Sequence, residues 1–398
     1  MSTMHHEQIR RLREETPGTR YHIHLNNAGA ALMPESVIET IQEHLEAELE
    51  HGGYEAAAAA QKRLQGFYTS VAHLIGAQPR NIAYAGSATD AYSRALTAIP
   101  WQQGDRILTT YDDYVSNQLA FFQLRRRFGV EVHYAASLPA GGVDPESVRQ
   151  LAIALRPRLL AVTHMPTNSG LIQDIAAVGA IAQELGILYL VDGCQTVGQL
   201  TIDVGAIGCD FFTATFRKYL RGPRGTGFLY ASDRILDSEL HPLFIDLHSA
   251  TWSQDDDYEI AHTARRFELW ERPYAMMLGA KAAADYATAV GITSIEQRVV
   301  ELAAHLRDSL HNINHLQVLD RGAHRGGIVT LHLEGQDPRR LKVHLNQANI
   351  NCSLTFLTSA RFDFRQKGVP WALRLSPHYY NTRDELEQTV EVLRHISS

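Results

Sequence analysis

Short apolar runs separated by amphipathic stretches set the rhythm of the first two thirds of this chain. Ile82–Ala85, Asp105–Thr109, Val130–Tyr134, Leu159–His164, Leu188–Asp192, Phe211–Thr213 and Gly227–Ala231 read as strands. Helical spacing of apolar positions fills the intervals, from Ser87–Asp90 through Ala98, from about Asn117 to Phe128, over Asp144–Leu155 and over Ala176–Leu185. Strands that alternate with helices need crossover connections, so the pattern predicts an α/β fold with a largely parallel sheet. Ahead of it stand a polar, arginine-bearing helix through about Glu15 and a short apolar piece, His22–Leu25. The small residues of Asn26–Ala31 follow and suit a turn near a ligand. Pro34 opens a helix through Glu50, with Ile38, Ile41, Leu45 and Leu49 on one face, and Gly52-Gly53 ends it. The alanine run Glu55–Ala60 is read as helix.

The rhythm changes near residue 272. Two helical stretches, about Tyr274–Val290 and Ser294–Asn312, lead to a strand at Gly327–Leu333, a helix at Arg339–Gln347, a strand at Leu373–Ser376 and a last helix at Thr382–His395. This predicts a large domain over residues 18–290 and a smaller α/β domain built from residues 1–17 and 291–398.

Composition narrows the class. At 398 residues, 45% hydrophobic and 20% charged, the chain has an ordinary globular balance. A formal charge of −7 gives no basic surface for nucleic acid. No run approaches the roughly 20 apolar residues of a membrane span, and residues 1–20 hold no apolar signal core. Cys194, Cys209 and Cys352 show no paired metal spacing and are too few for a disulfide framework. A cytoplasmic protein without a metal site, a membrane partner or a nucleic-acid partner is expected. Only five of the 37 basic residues are lysines, so a lysine in an apolar, glycine-flanked setting stands out. Lys218 is in that setting.

Two segments carry chemistry. Leu188–Asp192 ends in a carboxylate, and open parallel sheets bind ligands at the carboxyl ends of their strands; an ordinary turn aspartate is the alternative. Phe211–Thr213 leads through Thr215-Phe216-Arg217-Lys218 to Gly225-Thr226-Gly227. A lysine held in a dry site beside cations has a lowered amine pKa and becomes a nucleophile toward an aldehyde. Here a solvated basic loop is the alternative.

Together they resemble the fold-type I pyridoxal-phosphate enzymes, in particular the class V aminotransferase family with its cysteine desulfurase and selenocysteine lyase relatives. The resembling stretch reads Cys209-Asp210-Phe211-Phe212-Thr213-Ala214-Thr215-Phe216-Arg217-Lys218, then Gly225-Thr226-Gly227, and the likeness runs from about residue 25 to 382. One departure is Phe216, where a small residue is usual. The resemblance implies a fold-type I architecture with a mainly parallel seven-stranded sheet in the large domain, pyridoxal 5'-phosphate as cofactor, and a homodimer. It implies Lys218 as the internal aldimine lysine, Asp192 as partner of the ring nitrogen, and Gln195 at the ring hydroxyl or aldimine. Ser87-Ala88-Thr89-Asp90 matches the family's phosphate element, implying the Ala88 amide and Thr89 as phosphate ligands with Thr215 and Arg217; read alone, it is also a plain N-cap. Tyr114 matches the stacking aromatic, a core tyrosine being the alternative. Asn168 matches the asparagine between ring and substrate carboxylate, and Arg374 the arginine that grips that carboxylate.

Two departures bear on the reaction. Desulfurases carry a mobile cysteine in the loop before that arginine, whereas Leu357–Pro370 here has none. Cys352 lies upstream and reads as a buried strand thiol. The segment Arg266-Phe267-Glu268-Leu269-Trp270-Glu271 is more similar to the branch of isopenicillin N epimerase-like proteins and ergothioneine-type C–S lyases; Glu271 or Arg272 would reach across the dimer. The expectation is a β-eliminating C–S lyase on a cysteine-derived amino acid, working without a catalytic cysteine. The alternatives are a class V aminotransferase and an amino-acid epimerase, whose second acid and substrate contact would be Tyr54.

Overall fold

The protein's structure, a computed structural model, describes residues 4–397. Seven strands form the central sheet in the spatial order Ile82–Ala85, Gly227–Ala231, Phe211–Thr215, Leu188–Asp192, Leu159–Thr163, Arg106–Thr110 and Glu131–Ala135. Only Gly227–Ala231 runs antiparallel to its neighbours; the other pairings are parallel. The continuous apolar runs have a direct cause: helices cover both faces, so every residue of Ile82–Ala85, Leu159–Thr163 and Phe211–Thr215 is buried. Leu160, Val162 and Phe212 feed the core on one face. Leu159, Ala161 and Phe211 feed the core on the other.

Beyond Tyr274–Val290 the helix Ile292–Leu310 crosses to a smaller lobe. Its four-stranded antiparallel sheet has the order Leu316–Val318, Val329–Leu333, Trp371–Leu375, Ser353–Phe356, over a separate core that includes Leu302, Leu306, Leu331 and Leu373. The N-terminal stretch serves both lobes. Leu12 packs in a core of the large lobe, while Ile23–His24 pairs in parallel with Ile350–Asn351 and Leu25 joins the small-lobe core. No described helix is long and apolar enough to cross a membrane.

Several elements depart from the pattern read above. The helix Val115–Phe128 begins two residues early, directly after Tyr114, and Phe211–Thr215 runs two residues further than its apolar run. A second helix, Gln61–Ile75, continues from the alanine helix Gly53–Ala59. The hairpin Ala250–Gln254 with Asp257–Ile260 had no apolar alternation to announce it, because both strands lie almost wholly at the surface.

One buried carboxylate ties the sheet edge to the loop after Lys218. Glu268 accepts the Tyr84 amide at 2.7 Å on Oε1. On Oε2 it accepts the Tyr68 hydroxyl at 2.9 Å, Arg272 at 2.8 Å and His248 Nε2 at 3.0 Å. Tyr84 in turn donates its hydroxyl to the Gly225 carbonyl at 2.7 Å. Glu268→Gln keeps the volume but strands Arg272 without its carboxylate, a loss of about 3 kcal/mol that thermal unfolding will register as a lowered Tm. An unchanged Tm would show that the carboxylate's charge is not what holds this edge.

Candidate active site

The carboxyl ends of the parallel strands open into a cleft, and Leu188–Asp192 delivers Asp192 to its floor. The carboxylate is almost fully buried. Its Oδ1 accepts the Cys194 amide at 2.9 Å and its Oδ2 the Asn117 side chain at 3.1 Å. Burial holds the carboxyl above the ordinary carboxylate range, with the Lys218 ammonium and those two bonds pulling the other way. The turn that follows is tight by necessity: a Cβ on Gly193 would lie 2.0 Å from the Phe212 ring.

The next strand, Phe211–Thr215, carries the chain to Lys218, which is likewise buried. Its Nζ lies 3.3 Å from Cys194 Sγ and 5.9 Å from the centre of the Tyr114 ring. Burial raises the Cys194 thiol above its ordinary range, opposed by the Lys218 charge. Thr215 is fixed through Thr226, whose carbonyl accepts its hydroxyl at 3.1 Å. Arg217 donates to the Gly29 carbonyl, and its own carbonyl takes the Ala31 amide at 2.8 Å. The glycine-bearing segment Asn26–Ala31 is thereby laid along the cleft.

At the far end stands the N-terminus of the helix Ala88–Ala98. The Ser87 hydroxyl caps the Asp90 amide at 3.0 Å, which leaves the Ala88 and Thr89 amides without an intrahelical acceptor. Gly227 lets the neighbouring strand come this close, since a Cβ there would lie 2.9 Å from the Ala88 nitrogen. Capping and an anion site coexist here, as the two readings of this segment allowed.

The cleft thus brings together Ala88, Thr89, Tyr114 and Asp192 with Gln195, Thr215, Arg217 and Lys218. Asn168 and Arg374 stand behind the Thr167 wall. Arg374 is buried on Trp371–Leu375 and donates to the Thr167 carbonyl at 3.2 Å. Burial brings its guanidinium down to about 10, and among the described residues no carboxylate pairs with it. Tyr54 is the exception. On the helix Gly53–Ala59 the buried position is Ala56, and Tyr54 points away from it, 76% exposed and outside the cleft walls. That corrects its expected place at the substrate within this chain. Asn117 and Cys194 were missed. Asn117 follows Tyr114 by one helical turn, a spacing that puts both on one side; nothing in the sequence flags the thiol.

The donor set fits pyridoxal phosphate. Gln195 Oε1, Asn168 Oδ1 and Arg374 Nε are buried without a partner, and Asp192 lacks the full countercharge that a protonated ring nitrogen would supply. The free amides at Ala88 and Thr89, with Arg217, suit a phosphate.

Comparisons with known proteins agree. The family model described as Aminotransferase class-V matches residues 23–389. A protein of Methanothermobacter thermautotrophicus named "Probable cysteine desulfurase" is 28% identical, covering 100% of this chain and 99% of its own. The apo structure of a cysteine desulfurase from Thermococcus onnurineus superposes with a TM-score of 0.90 at 22% identity, covering 100% of this chain and 99% of that one. The cystine C–S lyase C-DES, solved with its product cysteine persulfide, gives 0.83 at 22% identity over 95% of this chain and 99% of that one.

If Asp192 faces the ring nitrogen, Asp192→Asn removes the charge with little change of volume. Cofactor binding should persist while kcat falls at least about 100-fold, roughly 2.7 kcal/mol of barrier. Near-normal turnover would remove Asp192 from that role.

Proposed function

The chain belongs to the class V aminotransferase family and is a pyridoxal-phosphate-dependent enzyme, and from that footing we propose that it cleaves the C–S bond of a cysteine-derived amino acid by direct β-elimination. The observation that carries the reading is the segment Leu357–Pro370. In cysteine desulfurases the resemblance places a mobile sulfur-accepting cysteine there. This chain has none, and folds the stretch into the helix Arg361–Lys367.

The residues divide the work. The Ala88 and Thr89 amides, Thr215 and Arg217 would hold the phosphate, Tyr114 would pack on the ring, and Asp192 would put its charge at the ring nitrogen. Bound there, pyridoxal phosphate supplies an electron sink for the α-carbon of an amino acid attached to it. Arg374 takes the substrate carboxylate in a bidentate grip, and Asn168 Oδ1 and Gln195 Oε1 are buried acceptors without a partner. Lys218 would be the base that removes the α-proton. The electron pair left behind expels sulfur from the β-carbon, so the leaving sulfur must be able to carry charge, as a thiolate, persulfide or sulfenate does. The remaining three carbons leave as pyruvate and ammonia after hydrolysis.

Among the described residues Cys194 is the one cysteine at the cleft, and desolvation there raises its thiol above the ordinary range, which makes it a poor nucleophile. Replacing Cys194, Cys209 and Cys352 together by alanine should keep pyruvate release from a cysteine conjugate within about tenfold of the parent, counted per cofactor-loaded molecule. Loss of turnover with normal cofactor loading would restore a thiol relay. Conversion of an amino acid to its keto acid without pyruvate would favour the aminotransferase.

We also read the functional unit as a homodimer. Phe244, Leu247 and Trp252 stand at least 72% exposed on and beside the surface hairpin, an apolar patch that a second copy would cover. Sedimentation should give twice the chain mass of 44.4 kDa; an active monomer would exclude this arrangement.

A further inference from the structure

The wall that carries Thr167 and Asn168 is held from the other lobe by a lysine. Lys367, the last residue of the helix Arg361–Lys367, has its ammonium buried. It donates to the Asn168 carbonyl at 3.1 Å and pairs with Asp363, one turn earlier, at 2.9 Å. Asp363 also meets Arg321 at 3.7 Å. The same helix is clamped at its start, where the Phe362 ring sits edge-on to Tyr111 at 5.3 Å and to Tyr134 at 5.2 Å. Its middle is anchored by Phe364, packed with Leu319, Val369 and Ala372.

A buried ammonium is costly unless all its protons are placed, so this one is specified by its surroundings. Of the five lysines in the chain, Lys367 is the one buried away from the cleft's chemistry, and it spends a charge-assisted bond on a backbone carbonyl. That carbonyl belongs to the residue next to the cleft-lining Thr167, and its own side-chain oxygen is buried without a partner.

We propose that Lys367 is a positioning residue: it fixes the Asn168 peptide from the small lobe and so sets where the substrate carboxylate is received. The segment Leu357–Pro370 is then a pinned wall rather than an arm that swings over the substrate. This rests on the reading of Asn168 as a substrate contact, but the tether itself can be tested without any reaction.

Hydrogen exchange on the cofactor-free protein reads the tether directly. In Lys367→Met, which keeps the stem and removes the charge, amides of residues 165–171 and 361–368 should exchange about ten- to a hundredfold faster, the loss of one charge-assisted bond. Strand 188–192 should not change, and Lys367→Arg should restore protection. In the cofactor-loaded enzyme KM should rise more than kcat falls. Unchanged exchange over 165–171 in folded Lys367→Met would overturn the proposal. If that variant loosens everywhere, Asp363→Asn decides. It frees the ammonium for the carbonyl alone, so residues 361–368 should loosen and 165–171 should stay protected; equal loosening of both would overturn the tether. Should the exchange pattern hold while no amino acid is turned over, the tether stands and the catalytic reading falls.

Discussion

A desolvated carboxylate at the end of the central strand is the constraint around which the cleft is organised. Asp192 lies where water hardly reaches, and among the described residues two donors, the Cys194 amide and the Asn117 side chain, bond its oxygens. A buried anion so thinly compensated is expensive for the fold alone. Burial raises its pKa for the same reason, and the Lys218 ammonium offsets that only in part. A cationic ring nitrogen would complete the set. The cleft is therefore built for a ligand that carries positive charge at one end and, at the helix Ala88–Ala98, negative charge at the other. Arg374 repeats the logic with opposite sign: a buried guanidinium, lowered toward 10 by burial, that no carboxylate among the described residues pairs with.

Much of this was legible in the sequence because it depends on runs and spacings. A strand buried on both faces must be apolar throughout, so Leu159–Thr163 and Leu188–Asp192 announced themselves, and with them the place where a carboxylate ends a strand. What escaped has no such signature. The hairpin Ala250–Ile260 is exposed, so its side chains carry no burial pattern. The helix Arg361–Lys367 spans under two turns and alternates charged with aromatic residues, which reads equally as loop. Asn117 was marked only by its spacing of one turn after Tyr114, and its bond to Asp192 and the approach of Lys218 to Cys194 are tertiary contacts that leave no local trace. Tyr54, expected as the second acid of an epimerase, stands outside this chain's cleft because the helix phase that buries Ala56 turns it to solvent.

The two ends of the cleft are made from different materials, and this has a consequence for specificity. The end proposed for the phosphate draws on backbone, with helix amides brought within reach because Gly227 has no Cβ and with the glycine loop held by the chain Glu268–Tyr84–Gly225. All of it belongs to the large lobe. The amino-acid end is side chain, and its two cations, Arg374 and Lys367, reach from the small lobe to grip successive carbonyls, those of Thr167 and Asn168. On the proposed reading cofactor affinity is set mainly in the large lobe, whereas the pose of the substrate depends on how the lobes sit together. A substitution in the small lobe should then act first on which amino acid is accepted, because the helix amides and the chain Glu268–Tyr84–Gly225 at the proposed phosphate end lie in the large lobe, and only Arg217 reaches the segment Asn26–Ala31 that Ser376 also holds. The reaction outcome follows from the pose: whichever bond at the α- or β-carbon stands aligned with the ring's electron sink is the one that breaks. The carbonyl grip by Lys367 and Arg374 therefore bears on chemistry as much as on binding, although neither contact reaches the cofactor itself.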